Sequence, residues 1–283
     1  MFREVSAVTR REDDGLLALL SHLAEGDRNH LPLPGWPTRA GLSLLVGPPF
    51  VLDLGTTLAG QVILGGHTVL YVDGANAFDP YILSRLARNA GQSPKALMQR
   101  LHLTRAFTCH QLETLIVERL SSAIAHYRPG LVVISGWSHL FHDENVPARE
   151  AFRLLQNTAR RVRSLTEAGQ PVLATHPEEP VTPRLRSLGQ MLAQAADGVA
   201  RLREEEGLIL VSREKPPDRH GRHTLVISQA DCQSFIRGHR HQELPVANCA
   251  VRKIDDSSSR TAQSAGRVRG GAAARPSRSG TRA

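Results

Sequence analysis

From Gly41 onward, apolar and polar positions fall into alternating blocks. Short apolar runs at Leu42–Val46, Thr68–Val72, Leu101–Arg105, Leu131–Ser135 and Pro171–Thr175 read as strands. Segments with helical spacing separate them, at about Thr56–Leu64, Tyr81–Asn89 (with Asp79 and Pro80 at its start), Cys109–His126, Ala148–Ala168 and Pro183–Ala196. In the fourth of these, Phe152, Leu155, Ala159, Val162 and Leu165 recur near helical spacing. The run LVVIS is of the type covered on both faces. Strand–helix alternation of this kind predicts an α/β fold with a mainly parallel sheet and helices on both sides.

The rhythm changes after residue 196. GVARLREE, GLILVSREK and HTLVISQ are strand-like runs without helices between them, which predicts a C-terminal antiparallel extension of the sheet. Upstream, DDGLLALLSHLAE predicts a helix over 13–25, followed by a Pro- and Gly-rich linker. From about His239 the apolar pattern fades into a Ser-, Gly-, Ala- and Arg-rich tail. That composition cannot bury a core and predicts disorder. The expected plan is an N-terminal helix and linker at 1–40, a core domain at 41–238 and a basic tail at 239–283.

Composition adds limits. The chain has 283 residues, 41% of them hydrophobic, with no apolar run near the roughly 18 residues that span a bilayer. Its N-terminus has no secretory apolar region, and its three cysteines, Cys109, Cys232 and Cys249, are odd in number and scattered. Both features fit a reducing cytoplasm and no disulfide framework. The net charge is +8, but its placement matters more. From Val251 on, Arg252, Lys253, Arg260, Arg267, Arg269, Arg275, Arg278 and Arg282 face only Asp255 and Asp256, so that stretch holds +6 of that excess. Such a tail suits sequence-independent contact with DNA through counterion release.

The candidate chemistry lies in LSLLVGPPFVLDLGTTL, Leu42 to Leu58. An apolar strand, a Gly-Pro loop and a following helix have the shape of a phosphate-binding loop, whose Lys reaches the terminal phosphates. Counted directly from Gly47, Asp53 stands at the Lys position. With a short insertion, Gly55 stands there and Thr56-Thr57 supply the hydroxyls. Neither register contains a Lys, because the first Lys of the chain is Lys95. VLDLGTT is also similar to the first phosphate loop of the actin and heat-shock-protein ATPases, a hairpin turn, but their further motifs are not found. The pairs His139/His142, His220/His223 and His239/His241 lack the partners a zinc site needs, so no metal site is expected.

Tyr71-Val72-Asp73-Gly74-Ala75-Asn76-Ala77-Phe78-Asp79-Pro80 resembles the strand end [FY]-[IV]-D-x-E-x-x-[FL]-x-P of the RecA/RadA recombinases. Leu101–Phe107, followed by Gln111-Leu112, is similar to the third strand of RadA-type proteins, and Thr57-Leu58 with Gln61-Val62-Ile63 to the helix after the RecA phosphate loop. The resemblance runs from about Gly41 to Ser228 and implies a RecA-like P-loop core. Its departures imply a lost engine. The family's water-activating Glu falls on Ala75, and its Mg²⁺-holding Asp on Ser135 or Gly136.

Thr175-His176 falls at the family's polar sensor. The segment PEEPVT, at the place of its DNA-binding loop, is acidic. The reading implied is a non-catalytic accessory or regulator in DNA recombination or repair, with a recombinase or repair factor as partner and DNA on the tail. No cofactor is expected beyond weak ATP/Mg at Gly47, Gly55, Thr56, Thr57 and Asp73. Two alternatives stay open. One is a rewired ATPase using Thr56, Thr57, Asp73 and an Arg in trans; the other is a translesion-synthesis accessory.

Overall fold

The structure is a computed structural model, and it describes residues 41–179, 181–215 and 224–228. The helix expected over 13–25, the basic tail, Cys232, Cys249 and the two distal His pairs lie outside those residues. The described residues form one compact unit.

Eight strands make one sheet in the order β3-β2-β4-β5-β1-β6-β7-β8. In chain order they are β1 Gly41–Gly47, β2 Val69–Asp73, β3 Leu101–Arg105, β4 Leu131–Ser135, β5 Pro171–Pro177, β6 Gly198–Glu205, β7 Leu208–Lys215 and β8 Thr224–Ser228. Pairing is parallel from β3 across to β6. It is antiparallel for β6–β7 and β7–β8, so the expected meander is present. The chain is therefore an α/β protein with a mostly parallel mixed sheet, compatible with a Rossmann-like or P-loop-like fold.

Strand periodicity sorts the core into two layers. On one face Leu45, Tyr71, Val133 and Leu173 pack beneath α1 (Val51–Leu64), α2 (Pro80–Asn89) and α3 (Pro94–Met98). On the other, Leu44, Val72, Ile134 and Ala174 meet α4 (Cys109–Thr114), α5 (Leu120–Tyr127), α6 (Ala148–Glu167) and α7 (Pro183–Ala195). Between α4 and α5 the chain makes a π turn, Leu115–Arg119, and the sequence reading missed it within a single expected helix. It also missed α3 and the 3-10 turn His139–His142. In α6, Leu154 and Leu155 are fully buried while Phe152 packs at the margin.

One expectation is corrected at the centre of the fold. The first helix begins at Val51, not at Thr56. Pro48 and Pro49 preset a helical φ, and their carbonyls accept from the amides of Val51 and Leu52 at 3.0 and 3.1 Å. Helical turns thus start directly behind the prolines, with Asp53 in the first turn.

Candidate functional site

The carboxyl ends of β1, β2, β4 and β5 share one edge of the sheet, where ligands of open α/β folds bind. β5 lies between β1 and β4, so the loop after Gly47, the position of Ser135 and the pair Thr175-His176 are neighbours there.

The β1–α1 connection offers a phosphate little. It is only Pro48-Pro49-Phe50, the prolines carry no N–H, and the amides of Val51 and Leu52 already donate to their carbonyls. Gly47 closes against β6, where a Cβ would lie 2.7 Å from the Leu202 carbonyl oxygen. Asp53, half-buried, puts a carboxyl at the helix start. Burial pushes its pKa up, Asp79 adds to that, and Arg85 opposes it.

The remaining loop candidates are drawn into the core. Gly55 sits where a Cβ would come 2.8 Å from Thr175 Cγ2, so it allows α1 to press onto β5. The Thr56 hydroxyl contacts the Leu52 carbonyl at 3.2 Å and the Tyr71 hydroxyl at 2.8 Å. The Thr57 hydroxyl donates to the Asp53 carbonyl at 2.9 Å. Burial raises the Tyr71 phenol to about 12, so it stays a neutral partner. Because Asp53–Thr57 is helical, the hairpin geometry of the actin-like resemblance is not present.

Asp73 ends β2 wholly inside the protein. Its carboxylate accepts from the Ala77 and Phe78 amides at 3.2 and 3.1 Å and pairs with Arg105. It therefore shapes the loop that leads to Asp79, whose side chain caps α2 by accepting from the Tyr81 amide.

Ala75, Ser135 and Gly136, the positions where the resemblance expects two carboxylates, are closely packed. The Gly74 amide donates to the Ser135 carbonyl at 2.8 Å, and a Cβ on Gly136 would fall 2.4 Å from that of Ala75. Gly136 also has φ +62°, a conformation that favours glycine. Ser135 is fully buried and supplies one neutral hydroxyl.

Beside this wall, the Gly136 amide donates to Thr175 Oγ1 at 2.8 Å. His176 bonds Ser138 through Nδ1, and both side chains are buried. Burial pulls the His176 imidazole down to about 4, so the ring is neutral. Gly189 of α7 makes room for it, since a Cβ there would lie 2.2 Å from Nε2.

Sequence reasoning missed Arg201 on β6, opposite Val46 of β1. Its guanidinium is held by Glu178, from the acidic PEEPVT segment, and by Glu214 of β7. Burial alone would lower its pKa, but the two carboxylates outweigh burial and raise it. Glu178 of the acidic segment is thus an ion-pair partner of Arg201. Its amide also donates to the Gly47 carbonyl at 2.8 Å. The signal was an Arg on β6 reached by a Glu just after β5 and a Glu on β7, visible only once the order β5-β1-β6-β7 was known.

Away from this edge, Arg149, Arg153, Arg160 and Arg163 of α6 are exposed, while Arg161 reaches Ser121 at 2.5 Å. Burial, and then His142, lower the pKa of His139. Among the described residues no three His, Cys, Asp or Glu side chains gather as metal ligands, and no helix is long and apolar enough to cross a membrane. Cys109 is a free thiol. Compared with protein-family models and with curated proteins, the sequence matches none.

Proposed function

We propose that this chain is a RecA-like protein that has lost nucleotide hydrolysis and serves as an accessory or regulator of DNA recombination or repair, acting through a protein partner and DNA. The observation that carries the reading is the set of substitutions along one sheet edge. Asp53 stands at the start of α1 where a phosphate loop needs a cation. Ala75 and Gly136 abut where two carboxylates would act, and Ser135 is buried beside them. Arg201, a cation of the same edge, is held by Glu178 and Glu214. Stabilising a transferring phosphoryl group requires positive charge and an oriented water. At the start of α1 this edge presents the Asp53 carboxyl instead of a cation.

The rewired-ATPase alternative loses support for the same reason. The hydroxyls of Thr56 and Thr57 are engaged inside α1 and with Tyr71, and Asp73 is engaged by two amides and Arg105. The test is ATP hydrolysis by the purified full chain, with and without single-stranded DNA. The reading expects no turnover above background in either case. DNA-stimulated turnover at the rate of an active recombinase would overturn it.

A further inference from the structure

β3 ends the sheet, and its bonds to β2 use one side of its backbone. The ladder is parallel and in unbroken register from Val69↔Leu101 to Asp73↔Arg105. At its ends the Val69 amide donates to the Arg100 carbonyl at 2.9 Å, and the Ala106 amide donates to the Asp73 carbonyl at 3.1 Å. These two bonds set the phase of the ladder. Alternate residues of β3 face β2, so His102 and Thr104 turn their N–H and C=O inward. Leu101, Leu103 and Arg105 turn theirs off the sheet, and among the described residues no hydrogen bond engages those outward groups.

A bare strand edge is a template for another strand, and folds guard such edges with Pro, Lys, a bulge or a covering segment. The run LHLTR has neither Pro nor Lys, its register has no bulge, and Leu103, Thr104 and Arg105 are exposed. The Arg105 guanidinium is committed to Asp73. Apolar side chains flank the edge on both faces of the sheet. Leu103, on the face of its register partner Tyr71, is 39% exposed. On the other face Tyr127 stacks on His102, with ring centroids 3.7 Å apart, and is 40% exposed.

We propose that β3 is a self-association edge, through which two copies of the chain pair antiparallel about a two-fold axis at Leu103. The outward residues are spaced evenly about Leu103. Antiparallel pairing therefore sets Leu103 against Leu103 of the second copy and Leu101 against Arg105, and each pair can exchange both backbone bonds. His102 falls opposite Thr104. No arginine meets an arginine across the strands, and the centre of the contact is apolar. The strand is thus complementary to itself in register and in charge, which argues for a second copy over a foreign segment. Because both copies use the same surface, the assembly closes at two. The proposal goes beyond the proposed function and holds whether or not the carboxyl edge binds nucleotide.

A five-residue strand offers only about 17 Å of edge, so the dimer is expected to be weak, with a Kd of order 10 µM. Sedimentation of the full chain from about 1 to 100 µM should show a reversible monomer–dimer equilibrium. Leu103→Lys sets like charges face to face on the axis and should raise Kd about tenfold or more. Leu103→Pro removes an amide that the β2 ladder does not use, and it should act in the same direction. Val181→Lys replaces an apolar residue that is 72% exposed after β5 and should leave Kd unchanged. Circular dichroism confirms that each variant is folded.

The register has its own readout. On oxidation, Leu103→Cys should yield a disulfide joining position 103 to position 103, identified in the peptide masses, because facing residues of such a pair lie about 5.5 Å apart at Cα. His102→Cys should not link to itself, since it faces Thr104. The proposal is overturned if the chain stays monomeric to about 100 µM, or if neither Leu103→Lys nor Leu103→Pro weakens the dimer. Growth beyond two copies would mark a head-to-tail contact and overturn it too, as would His102→Cys linking as readily as Leu103→Cys.

Discussion

The carboxylate of Asp73, buried at the end of β2, stands 3.2 Å from Nε of Arg105, its register partner on β3. This pair and the two amides bound to Asp73 join the edge strand to the loop that enters α2. Asp73→Ala would strand two amide donors, that of Phe78 buried, and one cation, so it should destabilise the fold by about 3 kcal/mol in a denaturant titration. Arg105→Ala, at a more exposed partner, should cost about 1 kcal/mol or less. Equal costs would contradict the assignment of Asp73 as the organising residue.

Gly189 and His176 make a second contact with a definite sign. Helix propensity alone favours Ala over Gly by about 1 kcal/mol. Here a Cβ would meet the imidazole at 2.2 Å inside a packed core. Gly189→Ala should therefore lower stability by about 1–2 kcal/mol. A rise in melting temperature would show that the ring does not fill that space.

The sequence made the sheet legible because its strands are apolar runs separated by Gly and Pro, and β4, β5 and α6 lie close to where the pattern puts them. The start of α1 was misread because Thr56-Thr57 imitates the hydroxyl end of a phosphate loop. The Pro-Pro-Phe turn and Asp53 in the first helical turn were the physical signals that outweighed it. The uncharged side chains at Ala75 and Ser135 could be read residue by residue. Arg201 with its two Glu could not, because that cluster exists only through the order β5-β1-β6-β7.

His176 provides a pH test. Its folded pKa, about 4, lies below the usual value near 6.5, so protonation favours the unfolded chain. The stability this provides is present above about pH 6.5 and declines as pH falls toward 4, by about 3 kcal/mol over that interval. The His176 ring should titrate near 4 in an NMR pH series. A midpoint near 6.5 would mean that it is not buried and neutral.

Asp53 has the opposite sign. Its folded pKa is raised, so its contribution is most favourable below about pH 4 and is lost as pH rises through the folded value. Asp53→Asn should be more stable than the unmodified chain at pH 7, with the advantage closing on acidification. An advantage that grows with acid would contradict the burial of that carboxyl.

The central claim is that the carboxyl edge no longer binds nucleotide as an engine, and a calorimetric titration of the full chain with ATP, with and without Mg²⁺, tests it most directly. The account predicts no saturable heat up to about millimolar ATP and no difference made by Mg²⁺. Saturable, Mg²⁺-dependent binding that Asp53→Lys strengthens only slightly would contradict it, because a working phosphate site would then already exist beside Gly47.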